Sequence, residues 1–345
     1  MTLGKTTFGK TSPGNTTLDR RRLLALAASL PAATALPRAP LAQELRKITV
    51  AGWSQPISEI TNMLAEPDKG FFKAKGLAFD YLPGQGSGAA IQNMLTGKAD
   101  IAFTDPASFY LALDQGEKLV AVYNIYPQNV FNLVMRKGSG IGKPADLKGR
   151  KISIYSRSGG TWIHLLMLLH AAGLKEEDVT IEVAGSLNFG PLIQGMVDAA
   201  SATDTGLSVA QARGLKDYEL IWVRDTINLP SDIFVVTEET YRTKKALIAD
   251  FLAGYRDGAQ WMIDHPDEAA KLAVTRTING RDEAINLEII RLRNASTVSE
   301  TTKREGLGRF DLDVMQKGAA MLRELGIVKQ PIDVAAVVKS DLIPK

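Results

Sequence analysis

From residue 48 onwards, the chain alternates short apolar runs with segments whose apolar residues recur at helical spacing. The runs have the length and the β-branched content of buried strands. In the first half, the predicted strands are residues 48–51, 77–82, 100–103 and 119–125, and the predicted helices are residues 56–66, 87–96 and 106–115. Alternation of this kind is typical of parallel strands in a layered sheet, so it predicts an α/β fold.

A second unit with the same order of elements follows. Its predicted strands are residues 130–136, 151–155, 179–183, 199–203, 219–223 and 233–236, and its predicted helices are residues 161–172, 189–195 and 208–213. After residue 237 the pattern is helical alone, with predicted helices at residues 245–264, from residue 266, and at residues 281–294 and 312–325.

This order predicts two α/β lobes, with the C-terminal helices returning to the first. The first lobe is expected to hold residues 43–129 and 237–345, and the second residues 130–236. Crossings between the lobes are expected near Asn129–Phe131 and Val235–Glu238. Ligands of open α/β sheets bind beyond the carboxyl ends of the strands, so the two lobes should share one binding cleft.

Residues 1–42 do not continue this pattern. Three arginines, Arg20 to Arg22, are followed by leucines and then by the apolar run Ala25–Leu36. This arrangement predicts a secretory signal, of the twin-arginine type or of the general type. A membrane anchor is less consistent with the run, because a span needs about 20 apolar residues. Cleavage after Ala35 or after Ala42 would release the protein into the periplasm.

Charge and cysteine content narrow the classes of function. Residues 1–42 hold six of the 41 basic and one of the 38 acidic residues, so the remaining chain has 35 basic and 37 acidic residues. This balance does not predict a nucleic-acid partner. The chain has no cysteine, which excludes disulfides, thiolate nucleophiles and a lipoprotein anchor. We predict no cofactor and no metal site.

Five short motifs follow one another at regular places in the two units. They are Gly97–Phe103, Asp146–Ile152, Ser158–Thr161, Ala171–Leu174 and Gly195–Ala199. In this order, over roughly residues 47–275, they resemble the periplasmic solute-binding proteins of ABC importers for sulfonates, nitrate, taurine and thiamine precursors.

The resemblance implies a periplasmic-binding-protein fold, a cleft that closes on a small-molecule ligand, and a permease partner in the inner membrane. We expect a monomer without catalytic residues. Two alternatives stay open: a ligand-sensing subunit for a membrane signalling protein, and a pyrimidine-forming enzyme on the same fold. The enzyme branch carries a cysteine-rich motif, which this chain lacks.

In the second lobe, the candidate site is the loop Ser156-Arg157-Ser158-Gly159-Gly160-Thr161 between a strand and a helix. Glycines allow close approach of the backbone, and the N–H groups at a helix start favour an anion. Arg157 is a candidate partner for a carboxylate or sulfonate. The alternative is a simple helix cap by Ser158 or Thr161, with Arg157 in solvent. Asn188 and Asp204 are further candidates after later strands.

In the first lobe, Trp53 and Ser54 follow the first strand, and Tyr126 follows the fourth. The resemblance to thiamine-precursor binders favours stacking of Trp53 on a flat ligand, and packing at a lobe edge is the alternative.

Thr104 and Asp105 precede Pro106, so Asp105 is expected to cap a helix and also to face the ligand. The glycines of residues 84–88 lack the Lys-Ser/Thr of a phosphate loop and are expected at the cleft rim. His164 and His170 lie on different helix faces, one packed and one solvated.

Overall fold

The computed structural model describes Gly9, residues 44–185 and residues 189–344. The predicted signal segment lies outside the described residues except for Gly9, and the candidate site residue Asn188 also lies outside them. Within the described ranges, no helix has the length and apolar character needed to cross a membrane.

The described strands form two five-stranded sheets. The first has the order β2-β1-β3-β10-β4 and the second the order β7-β6-β8-β5-β9. The strands are β1 Arg46–Ala51, β2 Leu77–Leu82, β3 Ile101–Thr104, β4 Leu119–Tyr126, β5 Phe131–Arg136, β6 Lys151–Ile154, β7 Thr180–Val183, β8 Ala199–Thr203, β9 Tyr218–Trp222 and β10 Asp232–Thr237.

Each sheet contains one antiparallel strand, and that strand comes directly after a crossing between lobes. In the first sheet, β10 pairs antiparallel with both β3 and β4. In the second sheet, β5 pairs antiparallel with both β8 and β9. The two lobes therefore have the same topology, and each lobe receives its fourth strand from a segment that has just left the other lobe.

The position of β10 corrects the predicted lobe boundary. The sequence pattern placed residues 233–236 at the end of the second lobe, with the return crossing near Val235–Glu238. The strand instead lies inside the first sheet, between β3 and β4. The return crossing consequently comes earlier, between the end of β9 at Trp222 and Asp232. The position of β10 is determined by its pairing with β3 on one side and β4 on the other. The apolar run alone does not indicate which of the two sheets it joins.

The helices cover the faces of the sheets and form the C-terminal part of the chain. Their bounds are α1 Thr61–Leu64, α2 Glu66–Lys69, α3 Ser87–Leu95, α4 Pro106–Asp114, α5 Gly160–Ala171, α6 Gly190–Ile193, α7 Asp204–Ala212, α8 Glu238–Thr243, α9 Lys245–Asp264, α10 Pro266–Arg276, α11 Glu283–Thr297, α12 Glu300–Glu305, α13 Leu312–Glu324 and α14 Val334–Val337. The predicted helix at residues 56–66 is replaced by a 3-10 turn at Ser58–Ile60 and the short helices α1 and α2.

The C-terminal helices complete the core of the first lobe. Helix α9 buries an apolar stripe that includes Phe251 and Tyr255. The ring of Phe234 on β10 lies 5.1 Å from the ring of Phe251 and 4.7 Å from that of Tyr255. The stripe and the strand bury each other's apolar surface, which holds the C-terminal helices against the first sheet.

The two crossing segments are hydrogen-bonded to each other. The Asn129 backbone N–H donates to Oδ1 of Asn228 over 2.8 Å, and the Asn129 side-chain amide donates to the Ile227 carbonyl over 3.1 Å. The Ser231 hydroxyl donates to the Gln128 carbonyl over 2.9 Å. These hydrogen bonds hold the two crossing segments together. Movement of one lobe against the other would therefore bend both segments as a pair.

Candidate functional site

The carboxyl ends of the strands in the two lobes face each other across a cleft, and two sets of contacts bridge it. The first set, the rim contact, joins residues 84–88 of the first lobe to residues 156–160 of the second. The Gly88 N–H donates to the Ser158 carbonyl over 3.1 Å. A Cβ on Gly86, whose φ is 101°, would lie 2.8 Å from the Ser158 Oγ. Residues 84–88 were predicted to lie at the cleft rim, and at that place they contact the second lobe.

The second set is a buried group that we call the Arg293 cluster, formed by Arg293, Glu59, Asp204 and Thr205. Arg293 of α11 donates from Nε to Glu59 over 2.7 Å and from Nη2 to the Thr205 hydroxyl over 2.7 Å. Its Nη1 lies 2.8 Å from Asp204 Oδ1, and its side chain is 1% exposed. The Thr205 hydroxyl donates to Glu59 over 2.6 Å. The cluster therefore ties two first-lobe elements to the start of α7 in the second lobe.

The electrostatics of this cluster favour the charged arginine. Burial by itself lowers the pKa of Arg293, but the carboxylates of Asp204 and Glu59 more than offset it and raise that pKa. Burial raises the pKa of Asp204, and the positive charge of Arg293 opposes the rise. Two buried carboxylates thus surround a single buried cation, and the cluster contributes no spare positive charge to the cleft.

Two further carboxyl groups lie side by side at the first-lobe edge of the cleft. Because Ile233 is paired with Thr104 in the antiparallel register, the next position along the ladder brings Asp232 beside Asp105. Burial raises the pKa of Asp232 well above its usual value, and the neighbouring Asp105 carboxylate raises it further. Asp105 has local partners: its oxygens accept from the Ser108 N–H over 2.7 Å and from the Ser108 hydroxyl over 3.0 Å. The predicted capping role of Asp105 is confirmed.

His164 faces the same region from the second lobe. It is 2% exposed, and its ring stacks on Phe131 with centroids 3.9 Å apart. Its Nδ1 lies 2.9 Å from the Gly160 carbonyl, and its buried Nε2 has no hydrogen-bond partner among the described residues. Burial lowers the pKa of His164 to about 4, against the opposing effects of the Gly160 carbonyl and of Asp105. The imidazole is therefore neutral near pH 7.

Aromatic side chains line the first-lobe edge. The ring of Trp53 makes an edge contact with Phe103 at 6.2 Å, and its buried Nε1 finds no hydrogen-bond partner in the described part of the chain. Tyr126 donates its hydroxyl to the Glu59 carbonyl over 3.3 Å, and Arg293 lies 5.3 Å from its ring centroid. Tyr126 therefore packs against the Arg293 cluster, whereas the indole N–H of Trp53 is left without an acceptor among the described residues.

The other first-lobe candidates make local contacts. The Ser54 hydroxyl donates to the Gln55 carbonyl over 2.9 Å, and the Ser54 carbonyl accepts from the Tyr81 hydroxyl over 3.0 Å. The Thr104 hydroxyl donates to the Ser87 carbonyl over 3.2 Å and so holds the start of α3 against β3. These two residues shape the edge of the cleft around Trp53.

The candidate loop of the second lobe divides into two parts. Ser156 and Ser158 lie at the rim contact with their hydroxyls 3.3 Å apart, and Gly159 and Gly160 begin α5. A Cβ on Gly160 would lie 2.2 Å from the Phe131 ring, so only glycine fits there. The Thr161 hydroxyl accepts from the Tyr155 N–H over 3.1 Å and does not cap α5.

Arg157 is the candidate that the structure separates from the others. Its side chain is 51% exposed and forms an ion pair with Glu176 of the same lobe. Glu176 also accepts from the Trp162 indole N–H over 3.1 Å. The guanidinium is therefore used within the second lobe, which corresponds to the alternative of an outward-facing arginine.

Sequence reasoning missed Glu59, Arg293, Asp232 and the functional position of His164. One of His164 and His170 was predicted to be packed and the other solvated; this is confirmed, since His164 is buried and His170 is exposed. A signal for Arg293 existed, since it is an arginine among the apolar positions of an amphipathic helix. Its partners, however, lie 234 and 88 positions away along the chain.

Two α/β lobes of one topology, hinged by two crossing segments and facing each other across a cleft, define the periplasmic-binding-protein fold. The profile of the NMT1/THI5-like family matches residues 57–269, and the chain belongs to this family. Both findings confirm the resemblance inferred from the motifs and the predicted fold class.

Two relatives and one solved structure illustrate the range of similar proteins. The riboflavin-binding protein RibY of Chloroflexus aurantiacus is 24% identical over 319 residues, which cover 91% of this chain and 90% of RibY. A protein of Haemophilus influenzae assigned to thiamine biosynthesis is 25% identical over 227 residues, covering 65% of this chain and 71% of the relative. The alkanesulfonate-binding protein SsuA of Xanthomonas axonopodis pv. citri, solved with MOPS, matches with a TM-score of 0.68 and 14% identity, over 86% of this chain and 99% of SsuA.

The fold is also shared by an enzyme. The desulfurization enzyme DszB, solved with biphenyl-2-sulfinic acid, matches with a TM-score of 0.55 and 15% identity, over 87% of this chain and 98% of the enzyme. The solute-binding SsuA structure is the more similar of the two. At these identities the structural matches show the fold alone, so the function has to be argued from the cleft.

Proposed function

We propose that this chain is the exported solute-binding protein of an ABC importer, which captures a small organic molecule in its cleft and delivers it to a permease in the inner membrane. Each lobe has its own core, and hydrogen-bonded crossing segments join the lobes. Such a hinge allows the cleft to open for entry and to close on the ligand.

The observation that carries this proposal is a pair of buried polar atoms without partners, one from each lobe. Trp53 Nε1 comes from the first lobe and His164 Nε2 from the second, and neither finds a partner within residues 44–185 and 189–344. Buried polar groups are normally satisfied, so unpaired groups on both sides of one cleft indicate where a ligand binds. A ligand that reaches both atoms would bridge the lobes and favour closure.

The chemical class of the ligand was left open between an anion and an aromatic or heterocyclic molecule. The first-turn N–H groups of α5 and the glycines beside them support the anion. Trp53 and the pair of carboxyl groups Asp105 and Asp232 support a flat molecule that brings hydrogen-bond donors. We favour the second class, because Arg293, the one buried arginine among the described residues, is already paired with two carboxylates.

The proposal places the protein in the periplasm, as a monomer whose residues 1–42 act as a signal peptide of the twin-arginine type. The extracytoplasmic location is supported by the periplasmic binding proteins that share the fold. The sequence pattern of Arg20, Arg21 and the apolar run after them supports the export route.

A ligand screen tests the proposed function. Purified protein is heated with riboflavin, aminopyrimidines, aromatic acids and sulfonates, and a true ligand raises the melting temperature in a concentration-dependent way. The bound compound should be recovered chemically unchanged. A compound that is converted to product would identify an enzyme instead, as the fold shared with DszB allows.

A transport assay separates import from sensing. Deletion of the gene should abolish uptake of the identified ligand, and restoring the gene should restore uptake. Normal uptake in the deletion strain, together with a lost transcriptional response to the ligand, would identify the sensing subunit.

A further inference from the structure

Helix α11 is fixed to the first lobe along one of its sides. The Asn286 side-chain amide donates to the Ala270 carbonyl of α10 over 3.1 Å. The Asn294 side-chain amide donates to the Met262 carbonyl of α9 over 2.8 Å. Ile290, which lies between these two asparagines, is buried in an apolar cluster with residues of α9 and α10. Helix α11 therefore moves as a part of the first lobe.

A second side of α11 contacts α7 of the second lobe at two levels. Glu288 accepts a hydrogen bond from the Ser208 hydroxyl over 2.9 Å. Five positions later, Arg293 contacts Asp204 and Thr205 at the start of α7. Because the residue numbers rise along α11 while they fall along α7, the two helices lie side by side in opposite directions. The boundary between the lobes is thus spanned by a pair of helices, one from each lobe.

The C-terminal end of α11 is joined to the hinge. The Gln128 backbone N–H donates to the Ser296 carbonyl over 3.4 Å, and the Gln128 side-chain amide donates to the Val298 carbonyl over 3.1 Å. Oε1 of Gln128 accepts from the Asn228 amide of the other crossing segment over 2.8 Å. An α-helix rises 1.5 Å per residue, so Glu288 lies about 12–15 Å from this attachment. Rotation of the second lobe about the hinge would therefore displace the part of α7 that contacts Glu288 more than the groups beside the hinge.

We propose that α11 is a brace between the lobes, whose contacts with α7 favour the closed cleft independently of any ligand. These contacts join groups of the protein directly to each other, and they exist only while α7 lies against α11. A contact that is made in one of two conformations lowers the free energy of that conformation and raises its population. This inference rests on the proposed solute-binding function, in which the lobes open and close, and it assigns part of the closing free energy to the protein itself.

Single-molecule fluorescence energy transfer between the lobes tests the proposal with no ligand added. Because the chain has no cysteine, Asp80→Cys and Thr180→Cys together provide one pair of labelling sites. Both side chains are exposed, and they lie on the edge strands β2 and β7. In each sheet, this edge is opposite the strands that adjoin the crossing segments. Opening of the cleft should therefore increase the distance between the two dyes.

Two substitutions on α7 should shift the distribution of dye distances towards the open form. Ser208→Ala removes the contact that lies farther from the hinge, and Thr205→Val removes the hydroxyl that bonds to Arg293. Loss of one such hydrogen bond should raise the ratio of open to closed molecules by about two- to tenfold. Thr205→Ser retains the hydroxyl and should retain the wild-type distribution.

A matched pair of substitutions on α11 separates the contact from its charge. Glu288→Ala removes the acceptor of the Ser208 hydroxyl and should shift the distribution as Ser208→Ala does. Glu283→Ala removes an exposed acid in the first turn of the same helix and should leave the distribution unchanged. Glu288 is itself exposed, so its removal should leave the protein folded even where the buried Thr205→Val does not.

Each contrary result has a distinct meaning. A purely structural role predicts that Ser208→Ala and Glu288→Ala unfold at lower urea concentration with unchanged dye distances, and this result would overturn the brace. Shorter distances would show that α11 holds the lobes apart, which also overturns it. Equal shifts in Glu288→Ala and Glu283→Ala would overturn the assignment to the contact with α7. A ligand screen without a hit would overturn the proposed function, and the distances measured without ligand would still decide whether the brace exists.

Discussion

At the scale of single residues, His164 shows how burial turns an ordinary side chain into a fixed acceptor. Its ring lies between Phe131 and the first turn of α5, where water cannot solvate a positive charge. Protonation is therefore suppressed in the folded protein and normal in the unfolded chain. The difference links the stability of the fold to pH.

The first prediction concerns this linkage. The pKa of His164 is about 4 in the folded protein against 6.5 in the unfolded chain, so the unfolded state binds more protons between these values. Stability should consequently fall as pH drops, by about 2 kcal/mol between pH 7 and pH 5 from this residue. Urea unfolding of wild type and His164→Gln at both values checks it, since the other titrating groups are common to the two proteins. Equal pH dependence in both proteins would contradict the assignment.

The second prediction separates the roles of Trp53 and Arg157. Trp53→Ala should weaken binding of a flat ligand by about 0.5–1.5 kcal/mol beyond the loss of buried area. Arg157→Ala should leave the affinity unchanged, because the guanidinium is half exposed and paired with Glu176. Titration calorimetry on both variants decides. A selective loss of affinity for an anionic ligand in Arg157→Ala would restore the sequence-based hypothesis that Arg157 holds an anion.

The sequence could predict residues whose partners are close along the chain. Asp105 before Pro106 indicated a helix cap, and its partner Ser108 is three positions away. Asp232 and Glu59 gave no such signal, because their environment is built by strands and helices that come together only in the folded chain. Glu59 meets Thr205 across 146 positions and Arg293 across 234. Arg157 resembled a ligand-binding residue by its place in the loop, and its actual partner depends on how the following turn folds.

At the scale of elements, the Arg293 cluster joins α11 and the 3-10 turn at Ser58–Ile60 to the start of α7. A neighbouring contact, in which the Ser208 hydroxyl donates to Glu288 over 2.9 Å, joins the same two helices. These contacts and the rim contact lie at different places along the cleft. Closure therefore depends on the orientation of α7 and α11 as well as on the ligand.

The third prediction removes the cation of this cluster. Arg293→Met would leave Glu59 and Asp204 buried without their positive partner, and such a loss costs about 3–5 kcal/mol. Chemical denaturation should show a decrease of that order. Arg291→Met, an exposed position on the same helix, is the control and should change stability by less than about 0.5 kcal/mol. Equal stability of the two variants would show that the buried cluster contributes little.

Elements with a strong local pattern were predicted well, and the elements that depend on long-range pairing were not. Helix α9 has the bounds expected from its apolar stripe, Lys245–Asp264. The predicted helix at residues 56–66 is broken into short pieces, with Pro67 near the start of α2. Strand β10 was recognised as a strand but placed in the wrong sheet, because the same apolar run could be buried in either lobe.

At the scale of the whole molecule, the fourth prediction concerns export. If residues 1–42 are a twin-arginine signal, replacing Arg20 and Arg21 with lysine should leave uncleaved precursor in the cytoplasm. Fractionation of a bacterial host and immunoblotting would show the longer species. Normal processing of the double variant would exclude the twin-arginine route and leave the general secretory route in place.

The last prediction concerns closure. A ligand that bonds to groups on both lobes makes its full set of contacts only when the cleft is closed, so binding should shift the population towards the closed form. Small-angle scattering should then give a smaller radius of gyration with saturating ligand than without it. Arg293→Met should show a larger radius than wild type before ligand is added and should still contract on binding, because the crossing segments that form the hinge are intact. Arg291→Met should follow wild type in both states. A scattering profile that does not change when wild type is saturated would contradict a hinge and would indicate a rigid, permanently closed cleft.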